Sequence, residues 1–501
     1  MTRSRIFTIS VLIMLSGWVV LVKWHGLAEP LERDLTTYAY IAHSLIDGNE
    51  LYTDLWDHKP PGIFLLYMLA EMVGGYDQHS IVALGIVFTI LSAIFLYLFL
   101  ARMADTPTAL LGAAFWVLAS NSVALQGNQP NVELFLNAFT LMALWALGHW
   151  DGRNFKFPLL AGIFLAMAAV CKTIIVFPVF FICLYYCYDF AKKYDRSGYK
   201  KIIGFFAGLL APSVILWLGV FAYFGLQGRF AGLWEAVFEF NQHYAGSISR
   251  NVWRFFSSPE KLFSRSLTEI WILVLLALIW FGASRQQYGP FKRTFFILLF
   301  FGLCFEVASP GYGYPHYYQL LLPVYCMLPA LLCYDLRLKF DPSGWPYGRS
   351  VVGGLIILSL VYLGYFQAQY LTMTPYQISH KKYGKLFTRS FEVADEVKRM
   401  TAPGDAIYEW GAETGIYYYS KRNAVSGITY IYPLLSGSRA ERTRKIKRVV
   451  RDINQSPPEV FVYNERYGKL KKNIFYGLLK QDYQLVKKID SYYIFKKTPL
   501  S

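Results

Sequence analysis

The chain is short of charge. Only 16% of its 501 residues are Asp, Glu, Lys or Arg, where a soluble domain carries about 25%. With 55% hydrophobic and 18% aromatic residues, this shortage excludes an ordinary soluble protein and points to an integral membrane protein with a polar remainder. Cysteine offers no framework either. Cys171, Cys183, Cys187, Cys304, Cys326 and Cys333 all lie in or beside apolar runs, which excludes a disulfide scaffold and a Cys/His zinc motif. They read as small buried side chains. Internal repeats and low-complexity tracts are lacking, which weighs against the repeated halves of many transporters. The first apolar run follows Arg3 and Arg5 as in a signal peptide, but no small-x-small cleavage site precedes Pro30. An uncleaved first helix is expected.

What is present is a series of eleven apolar blocks: 6–22, 81–101, 107–125, 132–149, 157–171, 173–190, 202–225, 267–282, 294–308, 317–334 and 350–371. Most reach or approach the ~20 residues that a spanning helix needs. The pair at 157–190 is separated only by Cys171-Lys-Thr173. With the N-terminus cytoplasmic, the inner loops hold Arg102; Arg153 and Lys156; Lys192, Lys193, Arg196, Lys200 and Lys201; Arg285, Lys292 and Arg293; and Arg337, Lys339 and Arg349. The outer turns 126–131 and 309–316 hold no Lys or Arg. This is a positive-inside bias. It puts 23–80, 226–266 and 372–501 on the outer face.

Two domains are expected: 1–371, polytopic and helical, and 372–501, a small extracytoplasmic α/β domain. The tail carries 24 Lys or Arg against 12 Asp or Glu, so +12 of the net +16 lies there. A long translocated domain escapes the orientation rule. Basic segments beside a membrane favour anionic lipids or phosphate-bearing ligands, and no nucleic-acid motif accompanies the charge. In the first outer loop, 36–47 has apolar residues at helical spacing. Pro60-Pro61 can start a second helix, 62–73, too short to span. In the tail, Phe391–Met400 and Ala440–Ile453 read as helices, and Ala406–Trp410, Val460–Tyr463 and Tyr492–Phe495 as strands.

Polar residues gather where these blocks meet the outer face. Asp34 follows the first span. It suits an acid at a membrane-surface site, and it suits an N-cap of the next helix equally as a residue type. Asp54, Asp57, His58 and Lys59 crowd the same loop. Lys59 stands before a Pro-Pro helix start, where an ammonium and backbone N–H groups suit a phosphate; a lysine snorkelling to headgroups has the same address. Glu133 opens the fourth span, as dipole capping or as a second acid. Lys172 tips a helical hairpin and reads as a snorkelling lysine before it reads as a ligand. In Pro310-Gly-Tyr-Gly-Tyr-Pro-His-Tyr-Tyr318 the tyrosines suit an interfacial belt, Tyr317 among them, while His316 can bind phosphate or titrate near neutrality. Carboxylates, lysines and a histidine on one membrane face suit transfer chemistry on a phosphate-linked lipid.

The order of these motifs resembles the GT-C superfamily of polyprenyl-phosphate-sugar-dependent glycosyltransferases, the branch with protein O-mannosyltransferases and the lipid A aminoarabinose transferase. The resemblance rests on Glu32-Arg-Asp34, Gly48-Asn-Glu-Leu-Tyr52, Trp56-Asp-His-Lys-Pro-Pro-Gly62, Gln129-Pro-Asn-Val-Glu133, His316-Tyr-Tyr-Gln-Leu-Leu-Leu-Pro323 and Trp410-Gly-Ala-Glu-Thr-Gly-Ile-Tyr417. It implies a GT-C fold of about eleven spans with an outward cavity. It also implies inverting transfer of a hexosyl or pentosyl group from a polyprenyl-phosphate donor to a cell-envelope glycan, lipid or protein. Carried over, Asp34 and Glu133 are the catalytic acids, Asp34 as the residue that activates the acceptor or holds a metal, and Lys59, His316, Lys172 and Tyr317 contact the donor phosphate. Asp57 and His58 would support a divalent metal ion, the one cofactor implied. His58 stands where some members place a metal-binding Glu, and Asp34 lacks the adjacent second acid common in the family.

Two other readings remain. A transporter or flippase of a lipid-linked glycan would place its polar groups near the bilayer midplane. A polysaccharide polymerase or ligase would depend on His243, Arg250, Arg254 and Arg265 in the late outer loop.

Overall fold

The computed structural model describes residues 3–193, 198–343 and 347–499. Arg196 of the third inner loop lies outside them. The chain is mostly helical, with a small C-terminal sheet. Each of the eleven apolar blocks is a helix, from Arg3–His25 to Gly348–Thr372. Among the described residues, seven helices are long and apolar enough to cross a membrane by length and composition, and Gly62–Gly74, Thr106–Ala119, Val132–Gly148 and Lys156–Cys171 are shorter apolar helices. The block at 157–190 breaks where the sequence places its only interruption. Helix Lys156–Cys171 ends at Lys172, which is extended, and a short 3-10 turn, Thr173–Ile175, leads into Val176–Lys193.

Contacts group the chain into two compact units. The first holds Met1–Leu27, Val82–Tyr223 and Ser247–Thr374. Here Val132–Gly148 packs on Lys156–Cys171, Arg293–Ala308 on Val176–Lys193, and Leu322–Ser343 on both Thr106–Ala119 and Trp271–Ala283. In the apolar stretch within Pro315–Phe340, 89% of the residues are buried and form the core, against 17% of those in the stretch within Ser4–His25. Phe7, Ile13, Met14 and Trp24 on this outer helix are exposed, as expected of side chains that meet lipid. Gly162 permits a close helix crossing: a Cβ there would lie 2.4 Å from the carbonyl oxygen of Gly208. Small residues serve this purpose in membrane bundles.

The second unit holds Ala28–Ile81, Phe224–Gly246 and Pro375–Ser501. Its five-stranded sheet runs in the order Asn423–Ala424, Ala406–Trp410, Val460–Asn464, Tyr492–Lys497, Tyr483–Ile489. The first two pairings are parallel and the last two antiparallel. Three strands match the expected β runs. Tyr483–Ile489 does not look like a strand in sequence, because most of its residues are exposed at the sheet edge. Edge strands accept lysines such as Lys487 and Lys488.

Helices Arg33–Ile46 and Gly62–Gly74 of the first loop pack on each other. The tail helices span Leu386–Met400 and Arg439–Gln455. The latter opens on a capping box between Ser438 and Glu441. Loop and tail are joined closely at Gly427. Its carbonyl accepts the Trp56 N–H at 3.0 Å, and a Cβ on it would overlap the carbonyl oxygen of Asp54.

Candidate active site

In the second unit, helix Arg33–Ile46 positions Asp34. Its N-cap is Glu32, whose side chain accepts the Asp34 N–H at 3.0 Å. The capping task assigned to Asp34 as one option therefore falls to its neighbour. Burial lifts the Glu32 carboxyl well above the usual carboxylate range, and the Asp34 charge adds to the effect. Arg33 locks the helix to the tail. Its guanidinium meets Glu413 at 2.6 Å and donates to the Tyr432 hydroxyl at 2.9 Å. Glu413 belongs to the Trp410-Gly-Ala-Glu413 motif and accepts no role in sequence alone; here it sets the register of the helix that presents Asp34. Beneath it, burial pushes the Glu409 carboxyl well up, with the Glu413 charge second.

The Asp34 carboxylate is about one-third exposed and lies 3.9 Å from the Lys59 ammonium. The Tyr38 hydroxyl donates to it at 3.3 Å. Lys59 itself is buried. Its backbone N–H donates to Asp57 Oδ1 at 2.8 Å, and its ammonium donates to His58 Nε2 at 3.0 Å. With Nε2 accepting, the ring proton sits on Nδ1, which faces the Tyr430 hydroxyl at 3.3 Å. Tyr430 in turn donates to Asp57 Oδ2 at 3.0 Å. Burial raises the Asp57 carboxyl above its usual range, against the pull of the Lys59 charge and N–H. Asn241 donates to the His58 carbonyl at 2.7 Å.

These contacts bear on the metal. Both Asp57 oxygens accept hydrogen bonds, and His58 Nε2 faces an ammonium rather than open space. Asp57 and His58 are thus engaged with Lys59 and Tyr430, and among the described residues no group of three or more His, Cys, Asp or Glu side chains is placed to hold an ion.

In the first unit, Glu133 and Lys172 come together. Asn131 caps helix Val132–Gly148, and Glu133 in its first turn is fully buried. The Lys172 ammonium is 2.6 Å from Glu133 Oε1 and lies 4.3 Å from the centre of the Tyr317 ring. Lys172 is thus turned inward to a partner and does not snorkel. Tyr317 and His316 sit on the 3-10 segment Pro315–Leu321. His316 faces Gln126 Oε1 through Nδ1 at 3.0 Å, and its ring packs edge-on to Tyr317.

Sequence reasoning missed two groups. Tyr430 lies in an unremarkable tail segment, and no local signal marks it. Glu306 is buried in helix Arg293–Ala308, feels the charges of Lys172 and Glu133, and has no hydrogen-bond partner on either oxygen. A lone acid inside an apolar run is a functional flag by default, and that signal was available. His243, Arg250, Arg254 and Arg265, the set required by a polymerase, are exposed.

The family model for dolichyl-phosphate-mannose-protein mannosyltransferase matches residues 58–218. Among solved structures, ArnT from Cupriavidus metallidurans bound to undecaprenyl phosphate is similar at 11% identity. The match covers 99% of this chain and 98% of that one, with a TM-score of 0.64. The apo form of the Archaeoglobus fulgidus oligosaccharyltransferase is similar at 12% identity over 98% of this chain and 74% of that one, with a TM-score of 0.54. No curated protein matches in sequence.

Proposed function

We propose that the chain is a glycosyltransferase of the GT-C superfamily, a reading that the family match over 58–218 and the structural likeness to ArnT support, and that it transfers one sugar from a polyprenyl phosphate to a cell-envelope glycan, lipid or protein with inversion at the sugar carbon. The observation that carries this reading is the Asp34–Lys59 pair: a part-exposed carboxylate beside a buried, oriented ammonium. Asp34 takes the proton from an acceptor hydroxyl as its oxygen attacks the anomeric carbon. The bond from that carbon to the phosphate oxygen breaks, and the departing polyprenyl phosphate keeps the electron pair. Lys59 holds the phosphate and stabilises its growing charge. Attack opposite the leaving group inverts the centre in one displacement.

The network behind Lys59 supports this assignment. His58 holds the ammonium, Tyr430 and Asp57 hold His58 and the Lys59 backbone in turn, and the contact to Asp34 is long at 3.9 Å, so a ligand phosphate can compete for the charge. Glu133 is assigned to holding Lys172 beside Tyr317, with His316 adjoining, as the donor-contacting group of the first unit. No step requires a metal.

Lys59→Ala is expected to weaken donor binding by about 1.5–3 kcal/mol, the value of a hydrogen bond to a charged group. Lys59→Arg should restore only part of this, since a planar fork does not reproduce a compact ammonium. Purified protein and a polyprenyl-phosphate sugar give the test. An Ala variant with wild-type KM and turnover would remove Lys59 from the site.

The proposed orientation has the N-terminus inside and 372–501 outside an inner membrane. Supporting it, segments from 28–81, 224–246 and 375–501 fall in one compact unit, as segments on one membrane face can. Alkaline phosphatase fused to the C-terminus is expected to be active. An inactive enzyme fusion together with a fluorescent cytoplasm-only fusion would reverse the assignment.

A further inference from the structure

The second unit has a cleft of about 500 Å³ that the catalytic assignment does not use. One wall is the turn Asn49–Leu55 with the end of helix Arg33–Ile46; the other is the segment Asn423–Gly427. Asn49, Thr53, Asp54, Asn423, Ser426 and Asp452 line it. Ser426 donates to Asp452 at 2.7 Å, and Arg448 donates to the Asp54 carbonyl at 2.8 Å. Hydroxyls, amides, carboxylates and guanidinium groups in one cleft match the vicinal hydroxyls of a sugar, which both donate and accept.

Arg448 and Arg451 also belong to a second hollow of about 900 Å³ along helix Arg439–Gln455. Its lining includes Arg439, Arg444, Lys447, Arg448 and Arg451, with Ala440 and Thr443 between them. Asp452 pairs with Arg448 at 3.6 Å and with Arg451 at 3.1 Å, and Glu235 lies 3.9 Å from Arg444, so five cations face two carboxylates and the groove keeps a net positive charge. Residues 440, 443, 444, 447 and 451 share one helix face, and that face is exposed. It therefore offers about one cation per turn of ~5.4 Å. The face lacks the large apolar side chains with which an interfacial helix enters a bilayer.

Both walls of the cleft run on into the site. Three residues after Asp54 comes Asp57, and three after Gly427 comes Tyr430, which donates to Asp57. The Trp56 N–H to Gly427 carbonyl bond ties the walls together between them.

We propose that the cleft and the basic groove form the acceptor subsite for an anionic glycan, one that carries phosphate or carboxylate groups. The cleft takes a sugar by its hydroxyls, and the groove holds the charged groups of the sugars beyond it. The acceptor role rests on the transferase reading; the binding chemistry does not.

The experiment uses full-length protein in phosphatidylcholine nanodiscs. Binding of oligogalacturonate is compared by calorimetry with that of a neutral malto-oligosaccharide of equal length. The carboxylated probe is expected to bind at least about tenfold more tightly and to weaken with salt. Arg444→Glu with Lys447→Glu should cost about tenfold or more in its affinity, as expected for lost charge-assisted contacts. Thr53→Trp, which fills the cleft at unchanged net charge, should also weaken it, whereas Lys471→Glu outside the groove should not. Equal binding of the neutral probe, or indifference to the groove and cleft variants, overturns the inference. Binding of phosphatidylglycerol vesicles without binding of oligogalacturonate overturns it in favour of a membrane surface. Consumption of a polyprenyl-phosphate sugar by the wild-type protein is measured alongside. Its absence, with glycan binding intact, overturns the transferase reading and the acceptor role, and leaves an anionic-glycan site.

Discussion

Asp34→Asn is expected to lower transferase turnover by at least the ~10²-fold typical of losing a general base, while the melting temperature stays nearly unchanged. Asn has the same size and can still accept from the Tyr38 hydroxyl, which now reaches the carboxylate at 3.3 Å. It cannot take a proton from an acceptor. The stability side follows from the cap. Because Glu32 accepts the Asp34 N–H, the helix start does not depend on the Asp34 side chain. What remains is the attraction of a first-turn carboxylate to the helix dipole, about 0.3–1 kcal/mol at an exposed site. Glu32→Ala should show the opposite pattern, with about 1 kcal/mol of stability lost. The measurement is turnover and thermal unfolding of both variants in nanodiscs. Near wild-type turnover in the Asn variant would remove the base from the mechanism.

Lys172→Met is expected to destabilise the protein by about 3–5 kcal/mol, the cost of stranding the partner of a buried ion pair. Glu133 is fully buried and its Oε1 lies 2.6 Å from the ammonium. Its Oε2 has no hydrogen-bond partner. Nearby Glu306 is buried with neither oxygen hydrogen-bonded, so loss of the lysine leaves two acids in a low-dielectric core without a cation. Adding Glu133→Gln to Lys172→Met should recover part of the loss, because it removes one of the two stranded acids and leaves Glu306. Denaturant unfolding in detergent distinguishes this from a snorkelling lysine. For a lysine whose charge lies in the headgroups, the Met variant would be close to neutral and the double variant would gain nothing.

The contrast between Asp34 and Lys172 marks the reach of local reasoning. In sequence, Asp34 is the cap candidate, and the structure gives the cap to Glu32 two residues earlier. The choice depends on which side chain turns back to the helix N–H groups, and Arg33 bound to Glu413, 380 positions away, fixes that turn. Lys172 at the tip of a hairpin looks like a headgroup contact until Glu133, 39 positions earlier, is folded against it. Tyr430 carries no sign of its part in the Asp57–His58–Lys59 network, since a tyrosine in an aromatic-rich chain has many roles. Glu306 could have been read, because an acid within an apolar run is informative by itself.

By itself the sequence determined the membrane character, the helical blocks with the break at Lys172, the main strands of the tail and the loop that holds Asp34 and Lys59. Each of these is a local property: an apolar run long enough for a bilayer, a β-rich stretch between turn residues, or a cluster within one loop. Only the tertiary structure decided which ionisable groups are paired. It joined Glu133 to Lys172, gave the cap to Glu32, turned His58 toward an ammonium, and drew the basic tail helix onto the turn at Asp54. Pairing joins residues far apart in the chain, and its free energy depends on burial and on angstrom-scale distance, neither of which a linear pattern contains.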